Sequence, residues 1–155
     1  MIKICFVCLG NICRSPMAEF IMKDLIVKNN LINSIYITSR ATSYEEIGNS
    51  IYQPAKDKLK EHHIYFDNNK KATVLEKEDY DKYDYIIGME DRNIINIERI
   101  LNKHNSDKIK RLLDYSNNPR DISDPWYSNN FDKAYEEILE GCTFFLDFLI
   151  ENNIV

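Results

Sequence analysis

The sequence predicts an α/β fold: a single doubly wound domain over residues 1–155, with a four-stranded parallel sheet flanked by helices and a tight anion-binding loop directly after the first strand. Three observations carry this expectation. Short apolar runs alternate with stretches of helical periodicity, the pattern of βαβ units and a parallel sheet. The first run ends at a cysteine, followed by five residues and an arginine and then by Ser15-Pro16, a strand-to-helix junction. At 155 residues the chain is long enough to bury one core without disulfides.

The elements follow in order. Ile2, Ile4, Phe6 and Val7 mark a buried strand over Ile2–Val7. Ser15-Pro16 reads as a helix start, since serine caps and proline suits the first turn. Ala18, Ile21, Met22, Leu25 and Ile26 then share one helical face, and Asn29-Asn30 supplies an end. A second strand is expected at Ile35–Thr38 and a second helix through Tyr52, Ala55, Leu59 and His62. The third strand, Tyr85–Met89, precedes a helix through Ile94, Ile97 and Leu101. A fourth strand at Ile109–Leu113 comes before a long C-terminal helix through Tyr135, Ile138, Leu139, Cys142, Phe145 and Leu149. Asn-rich stretches at 67–69 and 128–130 read as loops, and no internal repeat is present.

The loop is the most informative segment. Cys8 to Ser15 read CLGNICRS, and backbone N–H groups in so short a connection, with the positive end of the next helix, converge on a tetrahedral anion such as phosphate. Gly10 and Asn11 both tolerate positive φ, which such a turn requires. The same donors favour a thiolate at Cys8 over a thiol. Arg14 offers a planar fork that can clasp two phosphate oxygens, a match lysine cannot supply. Ser15 can donate its hydroxyl to the sulfur. In an open sheet the ligand site lies beyond the carboxyl ends of the strands, where Cys8 arrives.

Composition narrows the partners. Acidic residues outnumber basic ones and the formal charge is −5, with no basic stripe interleaved with aromatics, so nucleic acid is not expected as a partner. No stretch reaches membrane-spanning length and the apolar N-terminus is too short for a signal peptide, so a cytoplasmic protein without a membrane partner is expected. Cysteines 5, 8, 13 and 142 form no secreted-type framework, and Cys5 and Cys8 would alternate faces along a strand, so no metal site is expected. With neither a Walker loop nor a dinucleotide fingerprint, no cofactor is expected. Lys56, Lys58 and Lys60 read as a solvated face, Lys70-Lys71 as an exposed turn, and His62, His63 and His104 as surface residues.

The segment CLGNICRSPMAE resembles the active-site segment of the low-molecular-weight protein tyrosine phosphatases. ATSYEEIGN at Ala41–Asn49, DYIIGM at Asp84–Met89 and DPWY at Asp124–Tyr127 follow in that family's order and spacing, so the resemblance spans essentially the whole chain. It implies a metal-independent phosphatase in which Cys8 attacks phosphorus, Arg14 stabilises the phosphoryl oxygens and Asp124 is the general acid and base. Leu9, Gly10, Asn11, Ile12, Cys13 and Ser15 would then hold the phosphoryl group, with Asn11, Ser15 and Ser43 bracing the loop. Ile47, Trp126 and Tyr127 would form a rim for an aromatic side chain. Asp114 and Asp121 lack the Asp-Pro-aromatic context of Asp124.

Phosphotyrosine proteins are the expected substrates, inorganic phosphate the product, and a monomer the working unit. Phenolate leaves more readily than an alkoxide. At the place of Ile12 the related protein-arginine phosphatases usually carry threonine, and an apolar residue suits an aryl ring. Arsenate reductases of similar fold need a further cysteine pair near the third strand, and Lys82–Met89 contain none. A phosphopeptide-binding module without turnover would be expected to lack Cys8 or Asp124. Cys13 is open to two readings, a packing residue or a resolving partner that traps an oxidised Cys8 as a disulfide. Three positions depart from the family pattern: Arg40 where a small residue is usual, Thr73 where arginine is common and Glu90 in place of aspartate. None is expected to touch the chemistry directly; their expected effect is on how the pocket is braced and which peptides are accepted.

Overall fold

The computed structural model describes all 155 residues. Four strands, β1 (Ile2–Cys8), β2 (Ile35–Ala41), β3 (Tyr85–Gly88) and β4 (Ile109–Arg111), form one parallel sheet in the order β2-β1-β3-β4. β1 is central, pairing Cys8 with Ala41 on one side and Phe6 with Ile87 on the other. The chain winds to one edge after β1 and to the other with β3 and β4, so the crevice beyond the C-terminal end of β1 is the switch point.

The helices are α1 (Arg14–Lys28), α2 (Gln53–Glu61), α3 (Asp79–Lys82), α4 (Asp91–Leu101), α5 (Pro125–Ser128) and α6 (Phe131–Glu151). Strand side chains alternate between faces, and β1 divides the core accordingly. Ile4, Phe6 and Cys8 join the larger cluster with residues of α1, α2 and α6, whereas Cys5 and Val7 join the smaller one with Ile97, Leu101 and Ile109. Phe6 meets Phe145 of α6 edge to face, with centroids 6.5 Å apart. Gly141 allows α6 to approach the turn after β4: a Cβ there would lie 2.5 Å from Leu112 Cγ.

Several boundaries differ from expectation. α1 begins at Arg14, one residue before Ser15, with Cys13 as its cap and no side-chain capping bond, because Ser15 is committed to the loop instead. Nor is α1 amphipathic at its start: every residue from Arg14 to Met22 is buried, since the sheet, α6 and the loop enclose it. β2 runs on to Ala41, drawn out by full pairing with β1. β4 stops at Arg111, where Leu112–Tyr115 turn into a 3-10 helix whose Asp114 binds the Arg111 side chain and backbone. The short helices α3 and α5 had no apolar periodicity to announce them.

Candidate active site

The eight residues Cys8–Ser15 bend back between the end of β1 and the start of α1. Asn11 takes the left-handed conformation, φ 57°, whereas Gly10 does not. The glycine serves close approach instead, as a Cβ at position 10 would lie 3.2 Å from Glu46 Cγ. Tyr52 N–H donates to Ile12 O at 2.8 Å and Ser43 N–H to Leu9 O at 2.9 Å, tying the loop to the segment after β2.

At the floor, Cys8 Sγ accepts from Asn11 N–H at 3.3 Å and lies 3.0 Å from Ser15 Oγ. A buried chain of hydrogen bonds orients that hydroxyl. Glu19 is 4% exposed, and its carboxylate can only accept, so Ser39 Oγ donates to it at 2.5 Å. Ser39 Oγ then accepts from Asn11 Nδ2 at 2.9 Å, and the second hydrogen of Nδ2 goes to Ser15 Oγ at 2.8 Å. Ser15, already accepting, is left with its own hydrogen free to point at sulfur. Asn11 Oδ1 accepts Thr73 N–H at 3.2 Å, so the departure at Thr73 leaves a backbone bond intact.

Lys70 corrects one expectation. It is no exposed turn residue: its Nζ turns inward, 3.1 Å from Ser39 O and 3.5 Å from Glu19 Oε1, and burial pulls its pKa below the ordinary lysine value against the attraction of Glu19. Lys23 binds the other Glu19 oxygen at 2.6 Å. Lys58 is also more engaged than a solvated face implies, bound to Glu61 and Asp132. His62 lies flat on Tyr135.

Arg14 is buried, and three acceptors aim its fork. Nη1 donates to Ile122 O at 2.8 Å and Glu90 Oε2 at 3.1 Å, and Nη2 lies 3.4 Å from Asp124 Oδ2. Glu90 therefore braces the central arginine, and it does so from the N-cap of α4, where Asn93 answers it in a capping box. Asp124 caps α5 in turn: Oδ1 accepts Trp126 N–H at 3.0 Å while Oδ2 faces Arg14. Ile122 N–H donates to Met89 O at 2.9 Å, anchoring the aspartate segment to the end of β3.

Cys8, Leu9, Gly10, Ile12, Cys13, Arg14, Glu45, Glu46, Asp124, Trp126 and Tyr127 line one cavity of about 160 Å³. Trp126 packs on Tyr52, ring centroids 5.0 Å apart, and Tyr52 on Phe131 at 6.1 Å, so the wall is held from behind. Ile47 does not line this cavity; it is 51% exposed, and Glu45 and Glu46 stand at the rim in its place. Ser43 braces the rim turn through Glu45 N–H, 3.1 Å from its Oγ, and reaches the loop only by its backbone. Asp114 and Asp121 are bound to Arg111. Burial, then the neighbouring Cys8, raises the Cys13 thiol, and burial alone raises Cys142; all four cysteines are free.

Sequence reasoning missed Ser39, Glu19, Glu90, Glu45 and Glu46. Ser39 had a signal, since it falls in phase with Ile35 and Ile37 on the alternating face of β2, a polar residue at a buried register position. Glu19 is likewise an acid among the apolar residues opening α1. Nothing local marks Glu90 as a partner of a residue 76 positions away.

A sequence profile of the family described as low molecular weight phosphotyrosine protein phosphatase matches residues 3–154. The chain is 37% identical over 153 residues to the low molecular weight protein-tyrosine-phosphatase PtpA of Staphylococcus haemolyticus, covering 98% of this chain and 96% of that protein. It is 40% identical over 144 residues to YfkJ of Bacillus subtilis, a protein with the same description, covering 92% of each. The crystal structure of YfkJ superposes with a TM-score of 0.94 at 38% identity, covering 98% of this chain and 96% of that one. DARP, a drosophila arginine phosphatase, superposes with a TM-score of 0.85 at 32% identity, covering 95% and 97%.

Proposed function

Because the chain belongs to the low molecular weight phosphotyrosine protein phosphatase family, whose members hydrolyse phosphate monoesters with a cysteine, we propose that Cys8, Arg14 and Asp124 perform that reaction here. The observation that carries the assignment is that sulfur, guanidinium and carboxylate line one cavity, with the Asn11 N–H directed at the sulfur on its floor.

In the first displacement, Cys8 Sγ attacks phosphorus in line, forming an S–P bond as the bond to the phenolic oxygen breaks. Asp124 gives its proton to the departing oxygen, while Arg14 and the loop amides stabilise the equatorial oxygens. In the second, Asp124 takes a proton from water as the water oxygen attacks the phosphocysteine. The S–P bond breaks, phosphate leaves and the sulfur anion returns. Arg14 and the loop amides supply a positive field at the phosphoryl group from the protein itself, which supports a reaction without a metal.

Phosphotyrosine is the proposed substrate side chain. Ile12 and the Trp126–Tyr127 wall present apolar surface to an aryl ring, and the likeness to DARP, an arginine phosphatase, makes phosphoarginine the comparison that matters. We read residues 1–155 as one catalytic domain acting as a monomer, with Cys8, Arg14 and Asp124 gathered in one cavity of it. Four free thiols suit a reducing cytoplasm, and no helix is long and apolar enough to cross a membrane.

Incubating the protein with a small aryl phosphate under metal chelation tests the reading. Phosphate release is expected, together with a preference for phosphotyrosine over phosphoarginine peptides. Binding of phosphate without release would make the cavity a recognition module, and a preference for phosphoarginine would overturn the Ile12 argument.

A further inference from the structure

The cavity mouth carries charge that the chemistry at its floor does not use. Three of its lining residues are acids, Glu45, Glu46 and Asp124, and its one cation, Arg14, is buried at the floor against Asp124 and Glu90. Asp124 has its place in the reaction. Glu45 and Glu46 do not: neither forms an ion pair with any lysine or arginine of the chain, and the carboxylate of Glu46 meets only the amide of Asn49, at 2.7 Å. Trp126 and Tyr127 line the same cavity, 54% and 76% exposed, neither with a cation over its ring.

Two features of this rim point the same way. Unpaired carboxylates repel an approaching phosphate dianion, so the rim weakens binding of the phosphoryl group unless the substrate brings positive charge of its own. Exposed tryptophan and tyrosine faces attract lysine and arginine side chains through the ring quadrupole. The Glu46 side chain lies close to Gly10 of the phosphate-binding loop, where a Cβ would come within 3.2 Å of its Cγ, and Asn49 Nδ2 donates to its carboxylate. The turn holding Glu45 is braced by Ser43.

We propose that Glu45 and Glu46, with the exposed Trp126 and Tyr127 that line the same cavity, select protein segments in which lysine or arginine immediately flanks the phosphotyrosine. This deepens the phosphatase reading and rests on it. The cationic flank pairs with the rim carboxylates while the phosphoryl group descends to Cys8 and Arg14, so the two ends of the site recognise opposite charges on one substrate.

The test compares kcat/KM for two phosphotyrosine peptides that differ only in flanking residues, lysine and arginine in one and glutamate and aspartate in the other, with a small aryl phosphate assayed alongside. The basic peptide is expected to be preferred about tenfold at low ionic strength, falling toward parity in high salt as exposed charges are screened. In the E45Q/E46Q variant the preference is expected to collapse, chiefly through a higher KM for the basic peptide and a lower one for the acidic peptide. Equal rates for both peptides, or a preference that survives E45Q/E46Q, would overturn the proposal while aryl phosphate turnover left the phosphatase reading standing. No release from the aryl phosphate would overturn both.

Discussion

Arg14 Nη2 lies 3.4 Å from Asp124 Oδ2, so the group proposed to hold the phosphoryl oxygens also touches the group proposed to move the proton. The Trp126 N–H holds the other carboxylate oxygen, so two contacts orient the proposed proton donor at the cavity.

Replacing Asp124 by alanine should slow turnover by about 10²–10⁴-fold for a substrate whose phenolate is strongly basic. The loss should shrink as the leaving group improves, because a stable phenolate needs no proton. A series of substituted phenyl phosphates measures this, and uniform slowing across the series would remove Asp124 from the role of general acid.

Arg14→Lys keeps the charge and discards the fork. With Ile122 O and Glu90 aiming two donors and the phosphoryl group needing a planar pair, kcat/KM should fall by about 10²–10³-fold. Steady-state kinetics with one aryl phosphate suffice, and near-normal activity in the lysine variant would show that point charge alone matters.

Glu19→Gln is nearly isosteric but can donate where the carboxylate only accepts. It would disturb the order in which Ser39, Asn11 and Ser15 pass their hydrogens toward Cys8 Sγ. About a tenfold fall in kcat is expected, with little change in inhibition by inorganic phosphate. Unchanged kcat would mean that the buried glutamate only holds helix to strand.

Far from the site, Gly141→Ala should destabilise the fold by about 1–3 kcal/mol, because the added methyl group would drive into Leu112 beneath α6. Thermal or urea unfolding reads this directly, with kcat of the folded fraction retained. Wild-type stability in the alanine variant would show that α6 can shift without cost.

How much of this was legible beforehand follows the range over which each signal acts. The loop after β1 could be read because strand, turn residue, arginine and helix start are consecutive, and Asn11 indeed takes positive φ. Gly10 was misread for a physical reason: its need for a small residue comes from Glu46, across a tertiary contact. The resemblance puts Ile47 at the rim, yet the turn after β2 sends it outward and gives the cavity edge to two acids. Glu90 and Lys70 show the same limit, as each is defined by a partner distant in sequence, Arg14 for one and Glu19 for the other. Lysines and glutamates are usually exposed, so only folding revealed these as partly buried members of the support.

The most direct measurement of the central claim is peptide mapping by mass spectrometry after rapid acid quench of the wild-type protein turning over an aryl phosphate. A phosphoryl group should be found on the peptide containing Cys8, attached to that sulfur and lost as substrate is exhausted. Continued hydrolysis with the phosphoryl group on another residue, or undiminished turnover by Cys8→Ser with no covalent adduct, would contradict the account.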